Sequence, residues 1–132
     1  KAKKVYGIEI NPQAIEDAKA NAELNNVSNV EFLVGDAKEA VRYFIEEKIH
    51  LDVILVDPPR KGLDKDTLEA ITTLSSDRLV YVSCDPSTLV RDCKLLEETY
   101  QVEMIQPVDM FPQTYHVEAI ILMTRSGSGD KK

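Results

Sequence analysis

No G-x-G-x-x-G pattern occurs among the five glycines of this sequence, and the one G-x-G, Gly127-Ser128-Gly129, falls in a polar tail. A nucleotide-binding α/β unit opens with a strand and a glycine-rich turn whose bare backbone approaches a phosphate, so that opening is not written in these residues. Cysteine is scarcer still: Cys84 and Cys93 stand nine positions apart, and His50 and His116 are the two histidines. Neither a disulfide framework nor zinc-ligand spacing results, so no metal site is expected and a reducing, cytoplasmic location fits. Positive charge is the minority sign, with 16 Lys and Arg against 23 Asp and Glu and a net charge of -7. This argues against non-specific gripping of phosphate backbones; any contact with nucleic acid must be local or supplied from elsewhere. The longest apolar runs, such as Ala119 to Met123, are far too short to span a bilayer. The basic start Lys1-Ala2-Lys3-Lys4 is not followed by a signal-like apolar stretch, so neither membrane insertion nor export is expected.

What is present is an alternation of strands and helices. Lys4 to Ile10 reads as a strand, and Asn11-Pro12, a cap followed by an N1 proline, opens a helix through about Asn25. In it Ala14, Ile15, Ala18 and Ala22 share one face, with Glu16, Lys19 and Glu23 outside. The alternation continues with strand Val30 to Val34, helix Ala37 to Glu47, strand Leu51 to Val56 and a helix around Thr67 to Leu74. Strand Leu79 to Ser83 and helix Pro86 to Thr99 follow. The run Val53-Ile54-Leu55-Val56 suits an interior parallel strand covered on both faces. The ending differs: strand Val102 to Val108, a loop through Thr114, then strand His116 to Thr124 with no helix between, as an antiparallel hairpin requires. The expectation is one α/β domain over residues 1–125, with a mostly parallel sheet and a C-terminal antiparallel hairpin, and a disordered polar tail over 126–132.

Individual residues stand out at the strand ends. Glu9 closes the first strand, where the second strand of a doubly wound fold holds a ribose hydroxyl, so a fragment beginning after the first unit is expected. A solvated carboxylate is the plainer account of Glu9. Asp36 follows the next strand and can accept from an adenine amino group or simply cap the helix at Ala37; taken alone, the cap is favoured. Asp57-Pro58-Pro59-Arg60 ends the third strand, and two prolines hold the chain extended as a rigid lip that can position a flat base. Arg60 and Lys61 suit a phosphate contact, or a solvated loop.

In Tyr81-Val82-Ser83-Cys84-Asp85-Pro86 the thiol falls between a strand end and a helix whose cap is Asp85 and whose N1 residue is Pro86. The helix terminus favours a thiolate, the neighbouring carboxylate opposes it, and the location suits a nucleophile. Cys93, grouped with Leu89, Val90 and Leu96 on a helical face, reads as a small buried hydrophobe. Glu118 enters an otherwise apolar strand, where a carboxylate is expensive unless paired or used; His116 is an alternative base.

Four pieces taken together, Val5 to Pro12 with Glu9, DPPRKG at Asp57 to Gly62, SCDPSTLVRD at Ser83 to Asp92, and DMFPQTYHVE at Asp109 to Glu118, resemble one family. They are similar to the catalytic domain of the RNA 5-methyluridine methyltransferases, which use S-adenosylmethionine, over about Val5 to Thr124. The resemblance implies a Rossmann-like class I methyltransferase fold with its first strand missing, along with the glycine-rich loop and the upstream RNA-binding portion. It implies that Cys84 is the nucleophile, that Glu118 is the base, and that Glu9, Asp36 and Asp57 line the cofactor site. Pro58 and Arg60 are then substrate-binding. Many relatives have asparagine where Asp85 stands, a local departure. The form DMFPQT looks closer to the 23S ribosomal RNA enzymes than to the transfer-RNA enzyme.

The chemistry fits the residues. Carbon 5 of uracil is too weak a nucleophile unaided, so a thiolate adds at carbon 6, the methyl group is taken up at carbon 5, and a base removes the carbon-5 proton before the thiol leaves. The target must leave its stack, which suits a stiff lip and a nearby aromatic such as Phe111 or Tyr115. In that fold the missing strand would lie between those ending at Glu9 and Asp57. Its absence should split the sheet and leave edges through which the chain is marginal or dimerises. Two rivals stand beside this reading. One is an amino-group methyltransferase using Asp-Pro-Pro and an aromatic, although Arg60 takes the aromatic position here. The other is a non-catalytic interaction module of the same fold.

Overall fold

Asn11-Pro12 acts as cap and N1 proline in the computed structural model, which describes residues 2–110, 112–115 and 117–127: the Asn11 side chain accepts from Gln13 N at 3.0 Å. The chain divides into two compact units, residues 1–48 and 49–132, each taken by itself below.

In the first unit, β1 (Val5–Glu9), α1 (Pro12–Leu24), β2 (Val30–Val34) and α2 (Ala37–Glu46) follow one another. The two strands are parallel, with Val5 opposite Val30 and Glu9 opposite Val34. Helix α1 buries Ile15 and half-buries Ala14, Ala18 and Ala22, while Glu16, Lys19 and Glu23 stay exposed, the amphipathic division read from the sequence. Helix α2 buries Ala40 and Phe44, and the Phe44 ring meets Tyr6 edge-on with centroids 5.2 Å apart. Gly7 admits Phe32: a Cβ at Gly7 would stand 2.8 Å from a carbon of that ring. On the surface Glu31 takes Lys4 at 2.7 Å and the Tyr43 hydroxyl at 2.8 Å. These hydrogen bonds, Lys4 first, hold its carboxyl below the usual range.

The second unit contains β3 (Val53–Val56), α3 (Lys65–Leu74), β4 (Arg78–Ser83), α4 (Pro86–Leu96), β5 (Tyr100–Val108) and β6 (Glu118–Arg125). Its sheet has the order β3-β4-β6-β5, with β3 parallel to β4 and β6 antiparallel to both neighbours. The hairpin therefore folds back so that its second strand lies next to β4. The strands form two sheets, the split that the sequence reading anticipates. Leu79, Tyr81, Leu96 and Met123 are fully buried, packed with Ile71, Leu89, Tyr100 and Ile121. Strand β5 lies at an edge that is poorly suited to further pairing, with Pro107 lacking an N–H and a register shift between Val102 and Met104.

Several sequence expectations are corrected. Strand β3 is neither interior nor covered on both faces: within this unit it pairs only with β4, and along its alternating side chains Ile54 and Val56 pack on the core while Val53 and Leu55 are 49% and 66% exposed. Val90 does not share the buried face of Leu89 and Leu96; it is 68% exposed, one residue and about 100° of rotation off that stripe. Helix α3 starts two residues early because Asp64 caps it, accepting from Thr67 N at 2.8 Å. Helix α4 stops at Leu96 rather than Thr99, where Thr99 N turns to Leu96 O at 2.9 Å and Tyr100 begins β5. The last strand starts at Glu118; His116, Phe111 and tail residues 128–132 lie outside the described residues.

Replacing Asp64 by alanine should lower unfolding stability by about 1 kcal/mol in urea titrations, with asparagine restoring most of it. Hydrogen bonds from Thr67 hold the Asp64 carboxyl below its usual range. A depressed folded-state value means that the cap's charged contribution is complete above the unfolded carboxylate range and fades as pH falls through the folded value. The wild-type advantage over Asp64→Asn should therefore shrink only in acid.

Candidate active site

Strand register brings distant sequence motifs to one end of the second unit's sheet. Val56 pairs with Tyr81 in parallel β3 and β4, so Asp57 and Pro58 leave the sheet beside Val82 and Ser83. Ser83 pairs with Ala119 in antiparallel β4 and β6, so Cys84 and Glu118 occupy the next step along adjacent strands. Asp57-Pro58, Cys84 and Glu118, separated by up to 61 positions in sequence, thus share the edge formed by the carboxyl ends of β3 and β4. Open α/β sheets place their ligands outside this edge.

Cys84 is half-buried in the turn between β4 and α4. The turn is fixed on both sides: Ser83 Oγ donates to Asp85 O at 2.9 Å and accepts from Asp85 N at 3.1 Å. One carboxylate oxygen of Asp85 accepts from Ser87 N at 2.9 Å and Thr88 N at 3.2 Å, the N-cap read from the sequence. The acidic neighbour of the thiol is therefore spent on orphan helix amides, a task that asparagine performs equally well. Glu118 is half-buried opposite Val108. Asp57 is exposed, and its carboxylate has no hydrogen-bond partner among the described residues. Pro58 is half-buried; Pro59 and Arg60 are exposed. Tyr115, one proposed stacking residue, is 88% exposed.

Glu9 and Asp36 belong to the first unit, at the carboxyl ends of parallel β1 and β2. Glu9 Oε1 accepts from Asn11 N at 2.9 Å. Asp36 is a helix cap in a reciprocal box: its Oδ1 accepts from Glu39 N at 2.9 Å, and Glu39 Oε2 accepts from Asp36 N at 3.0 Å. Each carboxylate has a second oxygen uncommitted among the described residues, so capping and ligand contact are compatible.

The sequence reading passed over Arg91 and Asp92. Asp92 is fully buried and accepts four hydrogen bonds, from Leu63 N, the Tyr81 hydroxyl, and Arg91 Nε and Nη2, at 2.7 to 2.8 Å. The signal was available: Leu89, Asp92 and Leu96 have the spacing of one helical face, which puts a carboxylate among core residues. At the opposite end of the sheet, His50, Asp52 and Asp77 bring ligand-type atoms within 4.8 Å of one another, but Asp77 already pairs with Arg125 at 3.0 Å.

The match to known sequences decides the family. A family model described as tRNA (uracil-5-)-methyltransferase matches residues 1–126. The chain belongs to that family. A Clostridium tetani protein described as an uncharacterized RNA methyltransferase is 56% identical over 133 residues, covering 100% of this chain and 28% of its own length. A Bacillus cereus protein described in the same words is 55% identical, over 95% of this chain and 27% of the relative. The chain thus spans less than a third of these curated relatives. Among solved structures, the Pyrococcus abyssi tRNA (uracil-54, C5)-methyltransferase in complex with S-adenosyl-L-homocysteine matches with a TM-score of 0.75 and 36% identity, over 92% of this chain and 29% of that one. A Streptococcus thermophilus rRNA methylase matches with a TM-score of 0.67 and 16% identity, over 93% and 74% of the two chains, a likeness of fold. The Rossmann-like class I methyltransferase fold inferred from the sequence is the fold of these neighbours.

Burial, and after it the nearby Asp92 carboxylate, push the Cys93 thiol up. At neutral pH the Cys84→Ala protein should therefore alkylate with iodoacetamide at least about tenfold more slowly than Cys93→Ala, with the difference abolished in urea. Equal native rates, read by mass spectrometry, would contradict this.

Proposed function

We propose that this chain is the catalytic part of an S-adenosylmethionine-dependent RNA methyltransferase that modifies carbon 5 of a uridine. The observation that carries the reading is the convergence of Asp57-Pro58, Cys84 and Glu118 at one sheet edge. Membership of the uracil-5-methyltransferase family supports the reading. The three carboxylates Glu9, Asp36 and Asp57, each ending a parallel strand with an oxygen to offer, suit the hydroxyl and amino groups of S-adenosylmethionine. When bound, that cofactor supplies the electrophilic methyl group.

The chain's own residues then perform the remaining steps. The Cys84 thiolate adds to carbon 6 of uracil, breaking the 5,6 double bond and making carbon 5 nucleophilic enough to take the methyl group. Glu118 removes the proton left on carbon 5; the double bond re-forms as the carbon–sulfur bond breaks and the thiolate leaves. Pro58 and its neighbour Pro59 form a stiff lip for the extruded base, and Arg60 meets a nearby phosphate of the RNA. The form of Asp109 to Thr114 favours 23S ribosomal RNA as substrate. The second reading is transfer RNA, favoured by the family description and by the Pyrococcus abyssi enzyme. The reading includes a cytoplasmic site of action. No helix among the described residues is long and apolar enough to cross a membrane.

The deciding experiment uses full-length protein, S-adenosylmethionine, and tRNA or 23S fragments containing 5-fluorouridine. Fluorine cannot leave as a proton, so a denaturation-resistant protein–RNA adduct should accumulate, disappear in Cys84→Ala, and identify the RNA by which substrate is trapped. Activity surviving Cys84→Ala would favour the amino-group rival. On unmodified RNA, Glu118→Gln should trap the methylated adduct and lower turnover by about 100-fold or more. The isolated 132-residue chain, in which β1 and β3 each pair on one side only, should self-associate through these edges. A stable monomer in dilute sedimentation runs would sink that expectation.

A further inference from the structure

The loop that carries the Pro-Pro lip is fastened to one helix. Thr88 Oγ1 donates to Arg60 O at 3.0 Å, and Arg91 Nη2 donates to Lys61 O at 2.9 Å and Leu63 O at 3.3 Å. Asp92 Oδ2 accepts from Leu63 N at 2.8 Å. Within the loop, Gly62 N donates to Pro59 O at 2.8 Å. All three anchoring side chains belong to α4, whose N-cap Asp85 directly follows Cys84. Asp92 Oδ2 also accepts from the Tyr81 hydroxyl at 2.7 Å, three residues before the thiol on β4.

The loop is shaped for these contacts. Gly62 has φ of +77°, and a Cβ there would stand 2.5 Å from both Arg91 Nη2 and Asp92 Oδ2. Arg91 is not disposed as a phosphate ligand. Asp92 balances its charge and takes Nε and Nη2 on one oxygen, while Nη2 also reaches the loop carbonyls. A lysine ammonium cannot reproduce that planar fork. Thus the element that orients the Cys84 turn also sets the position of Pro58, Pro59 and Arg60.

We infer that Arg91 and Asp92, with Thr88, are positioning residues: they hold the base-bearing lip in fixed register with the thiol, so that carbon 6 of a seated uracil meets Cys84 Sγ. The inference rests on Cys84 being the nucleophile. Attack geometry is steep enough that a displacement of about 1 Å costs roughly 100-fold in rate. An exposed lip that drifted against its own nucleophile would lose most of its value.

The test compares full-length wild type with Arg91→Ala, Arg91→Lys and Thr88→Val. Two exposed trypsin sites, after Arg60 and Lys61, report loop opening independently of activity. Native cleavage at these sites should accelerate about tenfold in Arg91→Ala, as expected for losing hydrogen bonds made by a charged group. With S-adenosylmethionine saturating, the rate of adduct formation on 5-fluorouridine RNA should fall about 100-fold, while cofactor Kd stays within about twofold. Arg91→Lys should recover only part of the rate. Thr88→Val, which loses a hydroxyl and little volume, should move both readouts in the same direction and decides the matter if Arg91→Ala does not fold. Unchanged cleavage in a folded variant, or faster cleavage with an unchanged adduct rate, would overturn the inference. If wild type forms no adduct on any RNA, the nucleophile reading fails and the catalytic role of the clamp falls with it; the trypsin series then still decides whether Arg91 holds the lip.

Discussion

The arrangement of the second unit depends on one buried carboxylate. Asp92 lies in the core among Leu89, Leu96 and Tyr81, where an unpaired charge would be strongly destabilising. Its tolerance there comes from four short hydrogen bonds drawn from three places: the loop after β3, the strand β4, and its own helical neighbour Arg91. Such a group is directional in a way that apolar contacts are not. Leucine packing can slide by a rotamer, whereas the Tyr81 hydroxyl and the Leu63 amide can satisfy one oxygen in few geometries. Hydrophobic burial drives this unit together, and Asp92 selects which loop conformation accompanies that burial.

Register provides the second level of organisation. Because β3 and β4 run parallel while β6 runs against β4, the end of two strands and the beginning of a third meet at one edge. Cys84 and Glu118, the proposed nucleophile and base, can therefore be neighbours although they come from distant parts of the chain, without any long loop to carry them. The proposed reaction uses each once, and both stand on regular structure or immediately beside it. In the first unit, Glu9 holds the turn before α1 by accepting from Asn11 N and Asp36 caps α2, with one oxygen of each still available. A carboxylate at a strand end can thus serve local structure through one oxygen and keep the other exposed to solvent.

How far the sequence could be read depended on the range of the interaction. Local signals were reliable: Asn11-Pro12 and Asp85-Pro86 mark helix starts because cap and proline act within one turn. The strand-end motifs with Cys84 and Asp57 were visible for the same reason. The cap at Asp64 was missed because Lys65 and Asp66 carry no apolar periodicity, so the helix appeared to begin at Thr67. Covering of β3 was overestimated, since a continuous Val-Ile-Leu-Val run records apolarity and not which neighbours are at hand. The contact of Asp92 with Leu63 spans 29 positions and has no periodic signature in either segment. Only the oddity of an aspartate on a buried helical stripe pointed to it.

The two edges of the second unit's sheet are unlike, and this gives the sheet a direction of growth. At β5, a proline and an interrupted register present a ragged margin that a visiting strand cannot follow for more than a few residues. At β3, four consecutive apolar residues offer an uninterrupted row of backbone donors and acceptors, with Leu55 and Val53 projecting from one face. An added strand therefore has one side on which to join, and by joining there it would lie along the strand that ends in Asp57-Pro58. An addition on that side would therefore lengthen the sheet next to Asp57-Pro58, whereas on the other side the same end of the sheet is already bordered by β5 through the pairing of Val108 with Glu118.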